Sequence, residues 1–362
     1  MKILVILGTK AQYIKMAPVL RQMDAFDIDY RLVYTGQHSE TFDLLEKAFG
    51  TRPADDILIP NYEANTKLSF ARWTFQFWGQ TFVRLRRKEW KGMDICLVHG
   101  DTASTLFGAV ASRLAGVKVA HIEAGLRSSK MLDPFPEELI RRLVSRITHI
   151  HFTPDSSASA NLASAKGRVV QTDGNTLRDA LLASLANTGA ALSGIGGAGG
   201  YGVVSLHRNE NLSNAADFNI LMQAVIDAAR ELPLKFVLHP ATRAKIEQTG
   251  WKTKLQNTPG LELMDRTDYP EFVKLLVGSR LLMTDGGSNQ EEAAMLGLPT
   301  LLLRRTTERP DGLGDTIALS HLQPRIIQRF VSEHAEHGWK IREIDPASPS
   351  RLIVQTLMER LH

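Results

Sequence analysis

Three acidic positions carry the chemistry this sequence can do. An apolar run, Ile95–Val98, leads into His99-Gly100-Asp101-Thr102, and a second, Val117–Ala120, leads into His121-Ile122-Glu123. With the helical pattern between them, these runs read as a βαβ unit with parallel strands. Ligands of open parallel sheets bind outside the carboxyl ends of the strands, so Asp101 and Glu123 are expected to project into one crevice. Glu137 follows Pro134-Phe135-Pro136 in the first turn of the next helix. Three carboxylates converging there, with Arg127 nearby, suit proton transfer. The alternative is that the acids answer helix macrodipoles. That explains Glu137 and Glu138 but not Asp101 and Glu123.

A second group of candidates follows the strands of the other half. Strand Val203–Leu206 ends at His207-Arg208, and strand Leu281–Thr284 ends at Asp285-Gly286-Gly287-Ser288, before a helix from about Asn289. Bare backbone N–H groups at Gly286, Gly287 and Ser288 make a phosphate cradle, and Glu292, one turn on, is placed to accept from sugar hydroxyls. His207 and Arg208 could stabilise a departing diphosphate, the arginine through forked donors. At the first strand, Ile3–Leu7, the turn Gly8-Thr9-Lys10 precedes a helix carrying Lys15, a further anion site. It is not a P-loop, because the GxxxxGK spacing is absent. No metal is expected: His99, His121, His207 and His239 lie on separate strands without HxxxH or CxxC spacing. There is no GxSxG elbow for a serine hydrolase, and no GxGxxG after the first strand for NAD.

Positioning these residues requires two α/β halves, and 362 residues suffice for two cores. Strands at Tyr30–Tyr34, Thr148–Thr153 and Arg168–Gln171 complete the first half. Strands at Lys235–Leu238 and Thr300–Leu303 complete the second. Residues 188–201 are small and Gly-rich and read as a flexible connection. We expect an N-terminal domain over 1–175, rejoined by a C-terminal helix at 350–362, and a second domain over 176–349. Residues 61–90 form a helix candidate whose aromatics (Phe70, Trp73, Phe75, Phe77, Trp78, Phe82) read as core or subunit interface. The Arg84–Lys88 cluster at its end is a solvated face rather than a nucleic-acid site. A net charge of +4 suits an anionic substrate. Cys96, alone in an apolar strand, excludes an internal disulfide. The first apolar run is too short for a signal peptide, and none approaches membrane-spanning length. A soluble, cytoplasmic protein is expected.

Taken together, the stretches resemble bacterial UDP-N-acetylglucosamine 2-epimerases. The matching pieces are Gly8-Thr9, Ile14-Lys15-Met16-Ala17-Pro18, Thr35-Gly36-Gln37-His38, His99-Gly100-Asp101-Thr102 and His121–Arg127. They continue with Pro136-Glu137-Glu138, His207-Arg208, Gln290-Glu291-Glu292 and Thr306–Pro310, in family order over nearly the whole chain. The resemblance implies two doubly wound Rossmann-like α/β domains facing across a cleft, the glycosyltransferase-B type. It implies elimination of UDP from C1 with loss of the C2 proton, then readdition with protonation from the other face, without a cofactor. Asp101, Glu123 and Glu137 match the proton-handling acids and His207 the histidine serving UDP; Lys15, Glu292 and Arg309 match nucleotide contacts. Gln37 and His38 match part of an activator pocket that a second sugar nucleotide occupies. The Arg-Gln pair that normally completes it is missing from Asn61–Lys67. The first turn departs from the usual Gly-Thr-Arg-Pro-Glu, since Lys10 keeps the charge but loses the bidentate fork. The partners expected are a UDP-sugar and a second copy of the chain, with no nucleic acid and no membrane insertion. The competing readings are the hydrolysing relative, an epimerase of another UDP-2-acetamido sugar, a glycosyltransferase on the same fold and a non-catalytic sugar-nucleotide sensor.

Overall fold

The computed structural model describes residues 1–37, 42–64, 66–128, 136–188, 194–307 and 309–359. The chain divides into two compact units, Met1–Ala180 with Ala347–His362, and Leu181–Pro346. No described helix is long and apolar enough to cross a membrane.

The strands of the first unit are β1 (Lys2–Leu7), β2 (Asp29–Tyr34), β3 (Asp56–Ile57), β4 (Ile95–His99), β5 (Lys118–Ile122), β6 (Ile150–Thr153) and β7 (Arg168–Gln171). Its helices are α1 (Lys10–Ala25), α2 (Phe42–Phe49), α3 (Lys67–Arg86), α4 (Ala103–Leu114), α5 (Glu137–Ile147) and α6 (Ser156–Ala160), with α7 (Leu177–Thr188) running into the second unit. The sheet order is β3-β2-β1-β4-β5-β6-β7, all parallel. Helices cover both faces of such a sheet, so its central strands are apolar throughout; β1 and β4 are buried from Ile3 to Leu7 and from Ile95 to His99. The strand order reverses between β1 and β4, and a crevice opens there at the carboxyl ends.

The second unit repeats the plan. It holds β8 (Ile195–Gly196), β9 (Tyr201–Leu206), β10 (Leu234–Leu238), β11 (Leu261–Asp265), β12 (Ser279–Thr284), β13 (Thr300–Leu302), β14 (Ile317–Leu319) and β15 (Trp339–Lys340). Its helices are α8 (Asn209–Ser213), α9 (Ala215–Ala228), α10 (Pro240–Gln248), α11 (Trp251–Gln256), α12 (Tyr269–Gly278), α13 (Gly287–Leu296) and α14 (Pro324–His334). The main sheet, β11-β10-β9-β12-β13-β14, is parallel and reverses between β9 and β12. The last helix, α15 (Pro349–Glu359), belongs to the first unit, where the Ser350 N–H donates to Asp179 Oδ2 at 2.8 Å.

Two expectations change. The described part of the Gly-rich stretch is not a loose connection: Gly197 and Gly199 N–H donate to Val277 O and Gly278 O at 3.0 and 2.9 Å. Gly196 lies so close under the Trp339 indole that a Cβ would collide with it. The small residues serve close packing, not slack. The aromatic helix also starts later than read, at Lys67, behind a Thr66–Ser69 capping box. Trp73 and Phe77, one turn apart, are fully buried, and Trp73 stacks on Phe107 at 5.5 Å. Trp78 is only half-buried, while Phe75 and Phe82 are 82% and 56% exposed. Positions 75 and 82 lie two turns apart on the outer face, so the core claims one stripe and leaves another bare.

Candidate active site

At the reversal in the first unit, Gln12 ties the two strand ends together. Its Oε1 accepts from Gly8 N and Thr9 N at 2.9 and 3.1 Å, and its Nε2 donates to His99 O at 2.7 Å. Thr9 caps α1, so the turn expected to cradle an anion is occupied by its own side chains. Lys10, the first residue of α1, is half-buried. Lys15 is buried and reaches Glu123 Oε1 at 2.6 Å. Asn175 Nδ2 donates to the same oxygen at 2.5 Å. The other carboxylate oxygen lies 3.7 Å from His99 Nε2. Glu123 follows β5 with φ +63°, a left-handed backbone that costs a residue with a Cβ roughly 1–3 kcal/mol. Burial depresses His99 to about 3 and His121 to about 4, so both are neutral, and His121 Nε2 pairs with Gly100 O at 2.7 Å.

Asp101 sits beyond β4 and receives a fork from Arg141, Nε at 2.8 Å and NH2 at 2.6 Å. Arg127, expected beside the acids, turns elsewhere: it donates to Leu126 O at 2.8 Å and Ser145 Oγ at 3.3 Å. Glu137 opens α5, half-buried. Its neighbour Glu138 is completely buried, accepting from Arg142 Nε at 2.8 Å and Ser128 N at 3.1 Å. Gln37 accepts from Ser104 Oγ at 2.7 Å, whereas His38 lies outside the described residues. Lys15 as the partner of Glu123, Asn175 and Arg141 were not anticipated. Arg141, one turn after Glu137 on the same helix face, was the one legible signal.

In the second unit, His207 and Arg208 follow β9 and Asp285 follows β12, one on each side of the reversal. Gly286 is the N-cap of α13 and no side chain caps it, so the N–H groups of Gly287 and Ser288 are presented bare. A Cβ on Gly287 would stand 2.9 Å from Arg309 Nε and 3.4 Å from an Arg208 guanidinium nitrogen. Both cations therefore gather at the positive end of α13, an arrangement suited to a diphosphate. Arg309 also donates to Glu291 Oε2 at 3.1 Å, and Gln290 Nε2 holds the Arg309 and Asp311 carbonyls at 3.1 and 3.0 Å. Glu292 is buried beside Tyr269, whose phenol burial and the Glu292 charge push well up. Burial lowers the His207 imidazole, against the opposing pull of Asp285.

The sequence and the fold have known counterparts. The UDP-N-acetylglucosamine 2-epimerase family model matches residues 21–348. The chain is 31% identical to the UDP-N-acetylglucosamine 2-epimerase of Bacillus subtilis, over 99% of this chain and 95% of that protein. The crystal structure of the Neisseria meningitidis enzyme bound to UDP-GlcNAc matches with a TM-score of 0.80 at 28% identity, covering 99% of this chain and 100% of that one. The Methanocaldococcus jannaschii enzyme in complex with UDP-GlcNAc and UDP shares the fold, with a TM-score of 0.82 at 24% identity and coverage of 99% and 100%. The two doubly wound parallel sheets follow the glycosyltransferase-B-like plan of these neighbours. With the match spanning nearly its whole length, the chain belongs to the UDP-N-acetylglucosamine 2-epimerase family.

Proposed function

We propose that this protein is the non-hydrolysing enzyme, interconverting UDP-N-acetylglucosamine and UDP-N-acetylmannosamine. The observation that carries the reading is Glu123: a nearly buried carboxylate on strained backbone, gripped through one oxygen by Lys15 and Asn175. Such a fixed acid is preorganised for proton transfer. A carboxylate among Asp101, Glu123 and Glu137 takes the C2 proton while the C1–O bond breaks and its electron pair leaves with UDP. The glycal so formed regains UDP at C1 and a proton on the opposite face of C2. We assign the diphosphate to the N–H groups of Gly287 and Ser288 together with Arg208 and Arg309, with His207 serving the leaving group and Glu292 the nucleoside sugar. The Gly286 N–H, expected to join them, donates instead to Thr284 Oγ1 at 3.0 Å, and Gly286 serves by its lack of a Cβ. Lys10, Lys15 and Arg127 are assigned to the substrate from the first unit. Incubation with UDP-N-acetylglucosamine, followed by NMR at C1 and C2, tests this: the nucleotide-bound epimer is expected. Free N-acetylmannosamine with UDP would establish the hydrolysing reaction instead.

We infer further a cytoplasmic homodimer supplying surface-polysaccharide synthesis, with the bare α3 stripe as the contact between copies. The activator pocket is expected to be weak. Gln37 is already engaged with Ser104, and the segment 61–67 offers no guanidinium.

A further inference from the structure

Asp285 is fully buried where the second sheet reverses. Its carboxylate accepts from His207 N–H at 2.9 and 3.2 Å, from Arg208 N–H at 3.0 Å and from Asn211 Nδ2 at 2.9 Å. Asn211 is itself fixed by donating to Leu303 O at 2.9 Å. Every one of these donors to the carboxylate lies on the segment that carries His207. The carboxylate also stands 3.5 Å from the buried Nδ1 of that imidazole. Two further contacts confine the ring. His239 stacks on it at 4.4 Å and 24°, and a Cβ on Gly286 would stand 2.7 Å from its Cε1. The side chain nevertheless keeps 34% of its surface open.

A carboxylate facing Nδ1 favours the tautomer with the proton there, because the alternative sets a ring lone pair against an anion. We propose that Asp285 is a positioning residue that holds His207 as the Nδ1–H tautomer, leaving Nε2 as the ring atom that exchanges a proton opposite the diphosphate. This rests on the assignment of His207 to the UDP leaving group. Gly286 acquires a second duty, since only a residue without a Cβ leaves the ring in place. The charged and titratable groups around the imidazole are Arg208 and Glu210 on its own segment, Arg266 after β11, His239 after β10 and Asp285 after β12.

Long-range ¹⁵N spectra of the histidine-labelled protein at pH 8 read the tautomer directly, with His207 assigned by its disappearance in His207→Gln. Nδ1–H is expected in the native protein, with a shift toward Nε2–H in Asp285→Asn. A native Nε2–H tautomer overturns the proposal even if Asp285→Asn fails to fold. In turnover, Asp285→Asn should lower kcat by about 10–100-fold, as for other groups that orient a functional histidine. In a His207→Gln background the same change should cost less than about threefold, since the two act as one unit. Equal factors in both backgrounds make Asp285 merely structural and overturn the positioning role alone. Undiminished turnover by His207→Gln overturns the assignment of His207 to UDP, and with it any positioning role in catalysis.

Discussion

Adjacent residues divide the labour in this enzyme. Glu137 and Glu138 are indistinguishable as sequence, yet one is half-buried at the opening of α5 and the other is sealed beneath it. Glu137→Gln is therefore expected to act on turnover, whereas Glu138→Ala is expected to act on stability. The latter strips partners from Arg142 and Ser128 N and should cost about 1–3 kcal/mol in urea unfolding, discounted for the exposure of Arg142. Asp101→Asn and Glu123→Gln should each reduce kcat by at least ~10²-fold with the fold retained; near-native rates for both would remove proton transfer from these acids. The buried histidines give the fold a pH dependence. In the unfolded chain His99 and His121 take up protons near 6.5; in the folded protein they resist until about 3 and 4. The unfolded state thus binds more protons as pH falls below about 6.5, so folding stability should decline on acidification, by up to ~1.4 kcal/mol per pH unit per histidine. Urea midpoints at pH 7.5 and 5 measure it, and His121→Gln should flatten the slope.

At the scale of elements, α3 carries two aromatic stripes with different fates. Trp73 donates from its indole to Thr35 O at 3.1 Å and packs with Phe77 and Phe107, so Trp73→Ala should cost about 3–5 kcal/mol. Phe75 and Phe82 face outward. Phe75→Asp with Phe82→Asp should leave the thermal midpoint nearly unchanged while splitting the proposed dimer, as read by sedimentation velocity. A native protein that sediments as a monomer would end that assignment. The periodicity of aromatics in the sequence located the helix. It could not say which stripe the β-sheet would claim, because that depends on the register of the helix against Phe107 of α4.

For the whole molecule, the expected kinetics are hyperbolic and insensitive to an activator. Two lost charge-assisted contacts, each worth roughly 1.5–3 kcal/mol, would weaken a second nucleotide sugar about a hundredfold or more. Initial rates from UDP-N-acetylmannosamine alone test this. Turnover that waits for a trace of the gluco epimer would show an intact activator pocket. What the sequence determined by itself was the family, the α/β class and the ends of the strands at which polar residues gather. Apolar runs, turn residues and block motifs are local patterns, and each is complete within a few positions. What only the tertiary structure decided was pairing. Lys15 lies 108 positions from Glu123, Asn175 lies 52 away, and Asp285 lies 78 from His207. Arg141 replaced Arg127 beside Asp101 for the same reason. A charge finds its partner through the crossover connections of a parallel sheet, which bring distant strand ends together, and no local pattern records that proximity.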